Sequence, residues 1–413
     1  MSATYARSRT REGFPALGTG LAEVAAVASG DAAAAERSRS LTPEVVTALG
    51  GSGFARHFVP ERWGGAAGTF RELLDAVVTL GEACPSTAWC AALRAAHGRL
   101  AAALPESGQR DLWGASPDVS VAAAVVPPAG ELVPVTGGWK ISGRWGYASG
   151  VEHADWVLLS TMESVDAPGA GSGAGVGLSA VPGEAVDGSG AGTGVGAARC
   201  RVLAVPRSDV RVHDTWRSVG LRATGSHNVS VDGVFVPAHR SFLRESLAYG
   251  SAWTEPARCH RVPYDLVASL FFCAPALGAA RGALRSWQSV TAGRRLRDGR
   301  FAREDVDVQR VLARSSAEID LARLALERVA NEADEVDEAE IDPALIARNV
   351  RDCAVSVELL LGAVERIVRQ SGTSAHDESS DVQRFWRDIQ VVASHATLGL
   401  PAASAAYARV ALG

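Results

Sequence analysis

Three hydrophobic rhythms divide the chain. From about Gly20 to Leu112 apolar residues recur at helical spacing. Leu21-Ala22-Glu23-Val24-Ala25-Ala26-Val27 opens one helix, and Phe70, Leu73, Leu74, Val77, Val78 and Leu80 stripe another over residues 69–83. Between them Thr42-Pro43 reads as a helix start, with Thr42 as N-cap and Pro43 at the first helical position, where a missing N–H does no harm. Residues 58–65 break the pattern as a loop of proline and glycine. Ser86-Thr87-Ala88-Trp89 then begins a helix that carries Ala91, Ala92, Leu93 and later His97.

From about Val119 the period drops to two. Residues 119–126, 131–135, 139–149, 156–161, 201–205 and 230–236 read as short strands between glycine and proline turns. After Pro237 helical spacing returns through residues 264–290, 305–335, 343–371 and 381–398, enough for a four-helix bundle. The predicted architecture is α+β: an N-terminal helical domain over 1–118, a β domain over 119–240 and a C-terminal helical bundle over 241–413. Residues 163–198, a run of glycine, alanine, serine and proline, interrupt the β domain. With almost no bulky side chain they cannot bury enough surface to offset their ordering entropy, so they read as a flexible excursion between two strands.

A length of 413 residues exceeds what one core usually organises, in keeping with this division. The formal charge of -5, with no block of Lys or Arg, argues against a nucleic-acid surface. The 6 cysteines form no C-x-x-C pair and keep no zinc-like spacing with histidine. No metal site is expected, and reduced thiols in a cytoplasmic protein are. Residues 1–20 hold arginines but no signal-peptide core, and no run of about 18 apolar residues suggests a membrane span. The absence of G-x-G-x-x-G after a strand, of a Walker A loop, of G-x-S-x-G and of H-E-x-x-H argues against nicotinamide, nucleotide, serine-hydrolase and zinc-protease chemistry.

Candidate chemistry concentrates in residues 139–156, which read Trp-Lys-Ile-Ser-Gly-Arg-Trp-Gly-Tyr-Ala-Ser-Gly-Val-Glu-His-Ala-Asp-Trp. The pattern predicts a strand, a bend at Gly143, a second strand with Trp145 and Tyr147 on one aromatic face, and a tight turn at Ser149-Gly150. Aromatic rings beside a small hydroxyl suit a flat heteroaromatic cofactor whose edge takes hydrogen bonds. Taken alone, alternating aromatics in a strand are more often core.

Three further segments change that weighting: Pro85-Ser86-Thr87-Ala88-Trp89 with His97 beyond; Asp214-Thr215-Trp216 followed by residues 220–226; and Gln383-Arg384 with Arg387-Asp388 and then His395. In this order the four segments resemble the acyl-CoA dehydrogenase fold. Within it they resemble the two-component flavin-dependent monooxygenases of the aromatic hydroxylase type, group D. The resemblance implies reduced FAD or reduced FMN, delivered by a separate NAD(P)H-dependent flavin reductase, with molecular oxygen as co-substrate. It implies a flavin C4a-hydroperoxide that hydroxylates a small aromatic or polyketide-type substrate, or alternatively an amine or amino sugar at nitrogen, in a homotetramer.

Carried over by position, Ser149 matches the hydroxyl that contacts flavin N5, and Tyr147 lies alongside the ring. His395 matches the histidine facing C4a, and His97 the one at the substrate pocket. Arg297 and Gln309 resemble the residues that reach the flavin phosphate or adenine side across a subunit contact. Gln370, Gly372, Thr373 and Ser374 resemble the turn that holds the pyrophosphate. A true acyl-CoA dehydrogenase, the rival reading, needs a carboxylate base. Asp377 or Glu378 lies near the family position, without the glycine that usually follows, and the other known base position falls near Ala268.

Overall fold

The structure, a computed structural model, describes residues 17–18, 20–163, 199–248 and 255–413. The predicted flexible excursion therefore lies, beyond Glu163, outside the described residues. The first helices are α1 (Leu21–Ser38), α2 (Pro43–Gly50), α3 (Phe70–Gly81), α4 (Pro85–Ala101) and α5 (Glu106–Trp113). Thr42 caps α2 as its spacing predicts, and Thr69 with Glu72 closes a reciprocal capping box on α3. Helix α4 is buried on nearly every side. A helix of that kind sits inside a protein rather than on it, and α4 is wedged between α3, the helix α7 (Tyr264–Gly293) and the edge strand β1 (Val121–Ala124).

The β segment contains β1 (Val121–Ala124), β2 (Glu131–Val135), β3 (Gly138–Ala148), β4 (Trp156–Glu163), β5 (Arg199–Pro206), β6 (Arg211–His213), β7 (His227–Pro237) and β8 (Ser241–Leu243). They form two sheets, ordered β1-β4-β5-β8 and β2-β3-β7-β6. Ile141, Trp145, Val229 and Val231 of one sheet meet Val157, Leu159, Leu203 and Val205 of the other in a dry core. The outer face of the first sheet packs Leu158, Val202 and Ala204 against Leu100, Leu112 and Trp113, which docks the sandwich on α4 and α5.

One local feature overturns the expected shared aromatic face. The β3–β7 register shifts between Trp145 and Ala148, and such a bulge re-aims the residues beside it. Trp145 points into the sandwich, 2% exposed, and donates its indole N–H to the Ser160 carbonyl at 2.7 Å. Tyr147, at φ 62, is thrown outward and is 70% exposed, its ring set edge-on to Trp216 at 6.3 Å.

The C-terminal helices are α6 (Arg258–Arg261), α7 (Tyr264–Gly293), α8 (Val306–Glu335), α9 (Pro343–Ser371), α10 (Asp381–Ala393) and α11 (Leu400–Ala411). Asp305 and Asp342 cap α8 and α9 with their carboxylates. The helix predicted over 381–398 stops early. Helix α10 ends at Ala393 with Ser394 as its C-cap, and α11 starts anew after the Gly399 N-cap, with Pro401 in its first turn where a missing N–H does no harm. His395 thus lies in the extended break, not on the helix. Helix α7 is long and apolar enough to cross a membrane, contrary to the expectation that no such run exists, yet 89% of its apolar window is buried inside the protein. It crosses α3 so closely that a Cβ on Gly278 would stand 2.6 Å from the Cα of Gly81. Helices from both ends of the chain share one hydrophobic core.

Candidate active site

Where α4, the start of β1 and the turn after β3 converge they line a narrow cleft. Helix α4 contributes Cys90, Leu93, Arg94 and His97, and the turn contributes Ser149 and Gly150. Gly150 at φ 68 takes the left-handed conformation that the tight turn requires, and its N–H donates to the Thr224 carbonyl at 2.8 Å. Ser149 is held on two sides. Its hydroxyl accepts the Trp89 indole N–H at 3.1 Å and shares a 2.7 Å hydrogen bond with Ser226, which in turn pairs with Thr224 at 2.7 Å.

Trp89 also ties this hydroxyl to the C-terminal helices. Its ring stands edge-on to His395 at 5.7 Å, and His395 stacks on Phe272 of α7 at 4.0 Å. His97 and Ser149 share the cleft, and Ser149 and His395 share Trp89 as a neighbour. The three candidate catalytic residues therefore converge from three remote parts of the chain.

Both imidazoles are neutral at physiological pH, because burial disfavours their charged forms and pushes each pKa down to about 4. Their hydrogen bonds assign opposite senses. The Nδ1–H of His97 donates to the Val121 carbonyl at 2.9 Å, which leaves Nε2 as an acceptor. Nδ1 of His395 accepts the Thr397 N–H at 3.3 Å, which leaves the proton on Nε2 as a donor. The site thus pairs a half-buried base with a half-buried neutral hydrogen-bond donor.

A family model described as "Acyl-CoA dehydrogenase, C-terminal domain" matches residues 270–399. The FADH(2)-dependent resorcinol hydroxylase oxygenase component of Rhizobium sp. (strain MTP-10005) is 30% identical over 396 residues, 92% of this chain and 89% of that one. The chain belongs to the oxygenase components of two-component flavin-dependent monooxygenases. Another relative, the flavin-dependent monooxygenase oxygenase subunit HsaA of Rhodococcus jostii (strain RHA1), is 29% identical over 87% of this chain and 89% of its own. Among solved structures, the 3-HSA hydroxylase from Rhodococcus sp. RHA1 superposes with a TM-score of 0.83 at 26% identity, covering 96% of each chain. XiaF from Streptomyces sp., in complex with FADH2 and glycerol, also reaches 0.83 at 25% identity, over 96% of this chain and 94% of that one.

The donor set beside the turn fits the flavin that such an oxygenase component uses. An anchored hydroxyl at Ser149, a hydroxyl chain behind it and an exposed ring at Tyr147 offer edge hydrogen bonds and a surface for a flat ring system. The remaining predicted cofactor residues lie away from the cleft. Arg297 is exposed in the hairpin between α7 and α8. Gln309 is exposed on α8, its amide donating to the Arg303 carbonyl at 3.1 Å. Gln370 lies half-buried in the last turn of α9, followed by exposed Gly372, Thr373 and Ser374. One protomer does not bring these residues to Ser149.

Neither alternative base is placed for proton abstraction in a dry site. Asp377 and Glu378 are exposed, and Asp377 is held below the usual carboxylate range by hydrogen bonds from the Ser379 hydroxyl and N–H. Ala268 is buried and carries no acid.

Several residues that matter here carry little signal in the sequence. Trp89 and Ser226 were visible only as parts of longer motifs, and Phe272 carried no signal at all. Asp388 is buried in α10 and accepts the Leu221 N–H at 2.6 Å, so two of the four motif segments clamp each other.

Proposed function

We propose that this chain hydroxylates a small aromatic substrate in the cleft between α4 and the Ser149–Gly150 turn, using reduced flavin and molecular oxygen. The observation that carries the reading is the convergence of an anchored hydroxyl with two neutral imidazoles of opposite hydrogen-bonding sense. When bound, reduced flavin supplies the electrons that activate oxygen. The residues of the chain do the rest. Ser149 holds the cofactor edge, Tyr147 and Trp216 flank the ring, and Trp89 fixes the Ser149 hydroxyl. His395 offers a proton-bearing Nε2 from between the Trp89 and Phe272 rings, and His97 Nε2 takes the proton released by a ring hydroxyl.

A separate flavin reductase supplies the reduced cofactor, as membership among two-component oxygenases implies. We also place Arg297, Gln309 and the 370–374 turn at the phosphate-bearing end of FAD bound across a contact between copies in a homotetramer. Their exposure on one protomer supports that reading. The protein is read as cytoplasmic.

The test is to mix the protein anaerobically with reduced FAD, or with reduced FMN, and then expose it rapidly to oxygen while recording absorbance. A long-lived transient, shortened in Ser149→Ala and lost in His395→Ala, is expected. Direct return of the oxidised flavin spectrum in the unaltered protein would overturn the reading.

A further inference from the structure

The cleft contains an arginine that the proposed chemistry does not use. Arg94 lies on α4 one turn before His97, so the two side chains are neighbours on one helix face. It is only 9% exposed and lines the cleft, yet it makes no hydrogen bond, ion pair or ring contact with any described residue. Arg99, further along the same helix, shows what a structural arginine does in this environment. It is fully buried and donates to the backbone carbonyls of Cys259 and Val262.

The groups around Arg94 do not neutralise it. Burial pushes the Cys90 thiol up to about 12 and the His97 imidazole down to about 4, so both are uncharged. His153 shares a 3.0 Å hydrogen bond with Ser40, and burial lowers its pKa as well. Asp155 acts on Arg94 at a distance, but it is exposed and its Oδ2 accepts the Ser120 N–H at 2.8 Å. Among the described lining residues Arg94 is the one permanent charge, and a guanidinium stays protonated even when burial lowers its pKa. A buried cation without a partner is costly unless something supplies the anion.

We propose that Arg94 binds an oxyanion of the aromatic substrate, a ring carboxylate or an ionised ring hydroxyl, and so selects for anionic substrates in this cleft. The planar fork of the guanidinium matches two oxygens of a carboxylate or one phenolate oxygen. Its position beside His97 sets the bound ring with an adjoining atom at Nε2. This rests on the cleft being the substrate site proposed above, but its test needs no flavin.

Benzoate and its neutral isostere benzamide are titrated into the full-length protein, followed by tryptophan fluorescence and calorimetry. In parallel 4-nitrophenol is titrated below its solution pKa while the yellow phenolate band is recorded. Benzoate binding at least about tenfold tighter than benzamide identifies a carboxylate site, and a phenolate band induced by binding identifies a ring-oxyanion site. In either case the preference should collapse in Arg94→Gln and persist in part in Arg94→Lys. No preference for either anion by the unaltered protein, or a preference that survives in Arg94→Gln, overturns the proposal. Because the unaltered protein alone can fail this test, a misfolded variant does not shield it. The oxygen transient described above reports separately on the oxygenase reading.

Discussion

The indole N–H of Trp89 donates to the Ser149 hydroxyl at 3.1 Å, across the boundary between the helical head and the β sandwich. The same ring contacts His395, so one side chain sets the relative positions of two candidate catalytic groups. Trp89→Phe keeps most of the ring and removes the donor, while Ser226 still pairs with Ser149. The expected cost in stability is therefore small, about 1 kcal/mol. The oxygen transient, by contrast, should decay roughly tenfold faster as Ser149 loses its anchor. Thermal unfolding and stopped-flow absorbance separate the two, and an unchanged decay would show that Trp89 is packing alone.

His97 should remain a base far into the acid range. Its pKa of about 4 in the folded chain predicts no loss of kcat/KM near pH 6.5, where an ordinary imidazole titrates, and a limb only near pH 4 to 5. His97→Gln should lower kcat by roughly a hundredfold or more with the fold retained. A limb at pH 6.5 that disappears in His97→Gln would contradict the assigned environment.

Asp388 carries the opposite linkage. Burial raises its pKa from 3.8 to about 7 despite the Leu221 N–H and the nearby Arg384 and Arg387. The folded chain therefore holds this proton where the unfolded chain has lost it. The associated stability is complete below pH 3.8 and is lost as pH rises through about 7. Asp388→Asn keeps an acceptor for Leu221 and cannot ionise. Its stability relative to the parent should improve from pH 5 to pH 8 by roughly 1–3 kcal/mol in urea unfolding. A difference independent of pH would mean that Asp388 titrates as an exposed acid.

Gly220 sits where α10 presses on the loop that Asp388 holds. A Cβ there would lie 2.0 Å from the Arg387 carbonyl oxygen, a backbone atom that cannot swing aside. Gly220→Ala should cost about 2 kcal/mol or more and lower the midpoint of thermal unfolding by several degrees. Wild-type stability in this variant would show that the loop and α10 are not in contact.

The exposed carboxylates give the converse case. Asp377→Asn and Glu378→Gln should leave substrate hydroxylation within about twofold of the parent, since neither side chain approaches the cleft. Acyl-CoA thioesters should fail to bleach oxidised FAD bound to the parent protein. Bleaching that Glu378→Gln abolishes would revive the dehydrogenase reading.

Much of this protein was legible in its sequence, because the signals act over a few residues. The capping carboxylates Asp305 and Asp342, the Thr69–Glu72 box and the hydrophobic stripe of α3 each specify their element locally, and α9 spans the predicted residues 343–371. The change of period near Val119 and again after Pro237 likewise announced helices, then strands, then helices.

Tertiary structure decided what those elements do to one another. A bulge, set by pairing with β7, sent Trp145 inward and Tyr147 outward where alternation put both on one face. The break that frees His395 from α10, the reach of Trp89 to Ser149 and the clamp of Asp388 on Leu221 depend on partners far away in the chain. Nothing in the sequence singles out Arg94; the fold buries it beside His97, with no hydrogen-bond or ion-pair partner among the described residues. Periodicity and capping are short-range and written into neighbouring residues. Burial, desolvation and hydrogen-bond partnership arise only when remote segments pack, and these set the chemistry of the site.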